Sequence, residues 1–160
     1  EEDPMLECAL CNLTPQDKKW MLYENNDWIV FLADKQDYIG RCMVVCQEHC
    51  QSISDLNIEQ WISLKVIMSS LEQMLKSELG ATMFNWSCLM NDAYKADCAC
   101  PHVHFHMRPR YAEPVIIKNR EYRDDEFAHH YDNKKPAQIT DEAADFLFAQ
   151  LKEKISLYFS

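Results

Sequence analysis

A chain of 160 residues suits one domain, or one domain with an extension, and buries enough apolar surface to fold without disulfides. Its 16 basic against 26 acidic residues give a formal net charge of −10, which argues against a nucleic acid polymer as partner, because phosphate backbones need clustered Lys and Arg. No apolar run approaches the ~20 residues of a membrane span, and the acidic start "EEDPMLECALC" lacks the basic segment and apolar run of a signal peptide, so a cytoplasmic location is expected.

Taken in chain order, "KWMLYENNDWIVFLA" reads as two short strands around a turn at Asn25, Asn26 and Asp27. "RCMVVCQ" is a third apolar run, preceded by Gly40. "SDLNIEQWISLKVIMSSLEQMLKSELG" predicts one long amphipathic helix. Ser54, Asp55 and Asn57 are candidate caps, Trp61, Leu64, Met68, Leu71 and Leu75 recur at helical spacing, and Gly80 is the stop. "TMFNWSCLMN" predicts a strand, Asn91 to Pro101 a loop, and His102 to Met107 another strand. "KNREYRDDEFAHHYDNKKPAQ" reads as charged, irregular surface. "TDEAADFLFAQLKEKISLYF" predicts a second helix capped by Thr140, with Ala144, Leu147, Leu151 and Ile155 as its buried stripe. The sum is an α+β fold with an antiparallel sheet and one long central helix.

Three of the six histidines fall within "HVHFH". Side chains alternate between the faces of a strand, so His102, His104 and His106 point one way and Val103, Phe105 and Met107 point toward a core. A lone strand histidine is most often solvated or hydrogen-bonded. Three in register point instead to a metal site or to catalysis by an imidazole nucleophile. Eight cysteines without a secretory context suggest free thiols plus a metal site. Cys8 and Cys11 have the two-residue gap of a zinc half-site, and a redox pair is disfavoured because no strand precedes them. His49 and the triad histidines offer the remaining ligands. Cys46, Cys50, Cys98 and Cys100 are alternatives, more readily read as small buried hydrophobes.

"PHVHFHMRPRY" resembles the motif of the histidine-triad (HIT) nucleotide hydrolases and transferases. "CALC" is similar to the opening of their zinc-containing members. "YIGRCMVVCQEHCQSISDL" and "FNWSCLMNDAYKADCACPHVHFH" resemble their strand–turn–helix start and their phosphate loop. The resemblance implies a HIT fold: a five-stranded antiparallel sheet with one long central helix, here with a C-terminal helix added. It makes residues 1–160 a single domain, with a core over 8–111 and an extension over 112–160. It also implies a homodimer and chemistry at the α-phosphate of a small nucleotide.

By the same resemblance His104 is the nucleophile, which forms a nucleotidyl-histidine intermediate, and His106 assists the leaving group. His102 joins Cys8, Cys11 and His49 around a structural zinc. Asn91 contacts phosphate and Asp34 binds ribose hydroxyls, while Arg41 stands where many members have a turn histidine and, as an arginine, is expected to bind phosphate. His106 stands where the transferase branch has Gln, which favours hydrolysis. Substrates would be nucleoside phosphoramidates or dinucleoside polyphosphates. The departures lie in the phosphate loop, where Asp97 replaces a glycine and Cys98 a glutamine, so Asp97 is expected to oppose phosphate. Two further readings follow: a HIT-fold protein that binds a nucleotide or partner without turnover, and a hydrolase with a catalytic zinc on His102 and His104. His129 and His130 read as a solvated pair, and Trp61, Phe84 and Trp86 as core rather than base platforms.

Overall fold

The computed structural model describes residues 7–97 and 99–159. The first six residues, part of the stretch read against a signal peptide, and Cys98, an alternative metal ligand, lie outside the described residues. Among the described residues no helix is long and apolar enough to cross a membrane.

Five strands form one antiparallel sheet: β1 (Met21–Glu24), β2 (Trp28–Leu32), β3 (Cys42–Cys46), β4 (Met83–Ser87) and β5 (His104–Arg110). Their spatial order is β1-β2-β3-β5-β4. The turn from β1 to β2 is set by Asn25, whose side-chain oxygen accepts from the N–H groups of Asp27 and Trp28. Between β3 and β4 the chain makes its long helix α1 (Ile58–Leu79). Asn57 caps it in a reciprocal box with Gln60, and Gly80 ends it in the left-handed region at φ 77°. The second helix, α2 (Asp141–Tyr158), is capped by Thr140, as its sequence predicts.

The core lies on one face of the sheet. Leu22, Trp28, Val30, Leu32, Val44, Phe105 and Met107 meet Leu64, Ile67, Leu71, Met74 and Leu75 of α1 and Ala144, Leu147 and Leu151 of α2. On the opposite face Ile29, Phe31 and Val45 form a smaller apolar patch, covered in part by Leu10 and Leu13 of the N-terminal segment. That second face carries the site.

Three expectations are corrected. Strand β5 begins at His104 rather than His102 and runs on to Arg110, because β4 pairs with it all the way to Arg110. Trp61 is not in the helical stripe; it is exposed, together with Ile58, Ile62 and Val66. The charged stretch after residue 114 contains a hairpin, β6 (Val115–Ile117) and β7 (Arg120–Tyr122). Its turn is formed by Lys118 and Asn119, both at positive φ, a shape the composition does not signal through glycine.

Candidate active site and metal centre

Four side chains from three distant parts of the chain converge: Cys8 and Cys11 from the N-terminal turn, His49 just after β3, and His102 just before β5. Their ligand atoms all lie within 4.8 Å of one another. Cys8 Sγ is 3.3 Å from His102 Nδ1, Cys11 Sγ is 3.2 Å from His49 Nδ1 and 3.4 Å from His102 Nδ1, and the two Nδ1 atoms are 3.2 Å apart. Ligand bonds of ~2.0–2.3 Å around a tetrahedral zinc space the donor atoms about 3.3–3.8 Å apart, so the set is close to zinc-sized. His102 Nε2 donates to the carbonyl of Cys46 at 2.7 Å, which leaves a lone pair on Nδ1, facing the thiols. Burial holds its pKa below the ordinary value, which keeps the ring neutral. Two cysteines and two histidines close a four-ligand shell, the donor set of a structural zinc. Two of the alternative thiols go elsewhere. Cys46 is buried, accepts from Gln60 and is pushed up to about 11 by burial, while Cys50 donates to the carbonyl of Ser52.

The other two triad histidines form a separate pair. The rings of His104 and His106 sit 5.2 Å apart and nearly perpendicular. Their apolar neighbours Val103, Phe105 and Met107 are buried in the core, as the alternation predicts. His104 Nδ1 lies 2.8 Å from the carbonyl oxygen of His102. A carbonyl only accepts, so Nδ1 carries the proton and Nε2 presents its lone pair. His106 is set the other way. Its Nδ1 lies 3.2 Å from Arg41 Nη2, and a guanidinium only donates, so Nδ1 accepts and Nε2 carries the proton. Burial first, then the positive charge of Arg41, brings the His106 pKa down to about 4. The pair therefore offers one lone pair and one N–H donor, each fixed by a named partner.

Arg41 is itself positioned by Asp37, whose buried carboxylate takes Nη1 at 3.0 and 3.1 Å. A cavity of about 790 Å³ opens over His104 and His106, and Asn91, Asp92, Lys95, Lys35, Arg41 and Arg108 line it. Asp97 does not line this cavity and is exposed. The loop acid that does is Asp92, which pairs with Lys95 at 2.6 Å and has its pKa lowered by that bond. A second cavity, about 280 Å³, adjoins at Arg41 and His106. It is walled by Leu10, Leu13, Phe31 and Met43, with Asp34 also on its wall. The residues expected for catalysis and phosphate therefore gather around one cavity, and Asp34 lies at the adjoining one. His129 and His130 are exposed, as expected, and line neither cavity. Sequence reading missed Arg108, Lys35, Lys95 and the buried Asp37. Only Arg108 left a signal, since the alternation that aligns the histidines continues through it.

A search of curated proteins finds no significant match. Among solved structures, the chain is similar to a zinc-bound histidine triad family protein from Mycobacterium smegmatis, at 17% identity and a TM-score of 0.62 over 96% of this chain and 99% of that one. It is also similar to a hypothetical histidine triad nucleotide-binding protein from Sulfolobus tokodaii, at 16% identity and a TM-score of 0.65 over 94% and 93%. A third is diadenosine triphosphate hydrolase of Plasmodium falciparum, at 17% identity and a TM-score of 0.59 over 90% and 81%. At these identities the likeness speaks for the fold. The HIT domain family model matches residues 14–113, which takes in all five sheet strands and the three histidines. That match, on more than half of the chain, places this protein in the HIT domain family.

Proposed function

We propose that the protein is a hydrolase acting at the α-phosphate of nucleotide conjugates, through a nucleotidyl-histidine intermediate on His104. The observation that carries the reading is the opposed tautomers of His104 and His106. In the first step the Nε2 lone pair of His104 attacks the α-phosphorus, and the bond from phosphorus to the leaving oxygen or nitrogen breaks with its electron pair going to the leaving group, a departing nitrogen taking a proton from solvent water as it leaves. The His102 carbonyl, already bonded to Nδ1–H, stabilises the positive charge that the ring acquires. His106 Nε2–H donates to the departing atom. In the second step water adds to phosphorus, the phosphorus–nitrogen bond breaks back onto Nε2, and the water's proton passes to solvent. A nucleoside monophosphate is released.

The nucleoside part fits the apolar cavity between Leu10, Leu13, Phe31 and Met43, with Asp34 to receive ribose hydroxyls. Asn91 and Arg41 lie at the larger cavity, where phosphate would sit. Cys8, Cys11, His49 and His102 would hold zinc, which ties the N-terminal wall of both cavities to the catalytic strand and takes no part in the chemistry. A catalytic zinc on His104 has less support, because the converging donor set leaves His104 out. The homodimer is part of the proposal. Ile58, Trp61, Ile62 and Val66 expose one apolar face of α1, which a second copy would cover.

Incubation with adenosine 5′-phosphoramidate and diadenosine triphosphate, with intact mass recorded during turnover, tests the mechanism. A transient adduct of one nucleoside monophosphate is expected. His104→Ala should fold, keep its metal and lose turnover by about 10³-fold or more. Turnover retained by that variant removes His104 as the nucleophile.

A further inference from the structure

Strand β5 carries two arginines beyond the histidines, and they are satisfied very differently. Arg110 is fully buried and uses all five N–H donors. Nε and Nη2 bond the carboxylate of Asp124, and the rest go to Asn85 and to the carbonyls of Glu126 and His129. It is a structural residue, matched in charge and in hydrogen bonds. Arg108 is 4% exposed and has neither kind of match. No carboxylate among the described residues forms an ion pair with it. Its Nε is buried without a partner. Its two side-chain bonds, to Ser87 Oγ at 3.4 Å and Asn133 Oδ1 at 3.5 Å, are at the limit of hydrogen-bond length. The guanidinium stacks on Tyr131 at 4.1 Å and lines the larger cavity.

A buried cation without a counter-ion is costly unless something negative completes it. Arg41, the nearest comparison, is already neutralised by Asp37. Arg108 is not, and its position on the strand says what would neutralise it. It follows His106 on the same face of β5, one pleat repeat or ~7 Å further from His104. An in-line displacement puts the leaving group on the side of phosphorus away from the nucleophile, so the group that departs past His106 reaches Arg108.

We propose that Arg108 forms an anion subsite for a phosphate-bearing leaving group, making dinucleoside polyphosphates, rather than phosphoramidates, the preferred substrate class. Tyr131 holds the guanidinium plane, and Lys35, which donates to the carbonyl of Asn133 at 3.4 Å, adds a second positive charge at the rim. The chemistry of departure agrees. A phosphate leaving group departs as a stable anion and needs only hydrogen bonds and positive charge. An amine must gain a proton, which the neutral His106 is poorly placed to supply. The assignment rests on the nucleotide site proposed above.

Calorimetric titration of AMP and ADP into the zinc-loaded protein tests it without turnover. ADP carries one phosphate beyond the α-position and should bind about tenfold tighter than AMP, or better, as expected for a charge-assisted contact. In Arg108→Met the ratio of the two affinities should collapse toward one, with the melting temperature confirming the fold. If both nucleotides bind the wild type and the ratio is near one, or if the ratio survives in Arg108→Met, the subsite is wrong and the nucleotide site stands. If neither nucleotide binds, the nucleotide site fails and takes the subsite with it. Should Arg108→Met not fold, Arg108→Lys keeps a charge but loses the planar fork, so it should lower the ratio; an unchanged ratio overturns the assignment.

Discussion

His106 shows how much one neighbour decides. The ring is partly buried, and Arg41 Nη2 sits on the nitrogen that would otherwise take a second proton. With its folded pKa at about 4 and an unfolded value near ~6.5, the sign of the linkage is fixed. Above the unfolded value both states are neutral at this ring, and its contribution to stability is present in full. As pH falls from ~6.5 to about 4 the unfolded chain binds a proton that the folded ring refuses, so stability is lost over that window. Melting temperatures of the wild type and of His106→Asn from pH 7 to pH 4 should converge as the pH drops. Replacing Arg41 with Ala should raise the His106 pKa, read directly from its ring resonances by NMR. A titration unchanged in Arg41→Ala would mean that burial alone sets it.

At the scale of elements, glycine and one ion pair are where substitution should be felt. Gly80 ends α1 at φ 77° with nothing near its missing Cβ, so Gly80→Ala should cost only the left-handed backbone strain, about 1 kcal/mol. Gly40 has φ 84°, and a Cβ there would meet Leu79 Cδ1 at 3.1 Å and the Tyr111 hydroxyl at 3.3 Å. Gly40→Ala should therefore lower the melting temperature more than Gly80→Ala. Among the described residues Asp124 is the only carboxylate bonded to the buried Arg110, and Asp124→Ala should cost about 3–5 kcal/mol in denaturant unfolding by stranding that charge. These elements were not equally legible from the sequence. The strands, both helices and their caps Asn57, Thr140 and Gly80 follow from periodicity and cap chemistry, which are local. The β6–β7 hairpin does not, because its turn uses Lys118 and Asn119 and its anchor is an ion pair from β5. Trp61 escapes the sequence pattern because helical spacing reports which residues share a face, and an apolar face can also point outward. In the site, the histidine row was legible because a period of two is written along one strand. Asp37 and Tyr131, which position the two arginines, come from other segments and leave no pattern.

On the scale of the whole molecule, the zinc-type cluster joins residues that are 94 apart in sequence, Cys8 and His102, and passes through His49 on the way. Removing the metal should leave buried and half-buried donors facing one another with nothing between them. Stripping it with a strong chelator at neutral pH should lower the melting temperature, and metal analysis before and after should account for one ion per chain. A protein with no metal and an unchanged melting temperature would remove the centre. The exposed face of α1 makes a separate expectation. Light scattering should give twice the chain mass, and Trp61→Glu with Ile62→Glu should return it to that of one chain while the circular dichroism stays the same.

Ala9 and Leu10 sit between the two metal-binding cysteines and also line both cavities. The same short turn is thus a clasp at one end and a wall at the other. Whatever loosens the clasp moves the wall, and whatever fills the cavity braces the clasp. Free energies of this kind are reciprocal: if zinc sharpens the hold on a nucleotide, a bound nucleotide must sharpen the hold on zinc by the same factor. A saturating nucleotide should then slow the loss of metal to a chelator, a coupling visible in a chain that turns nothing over.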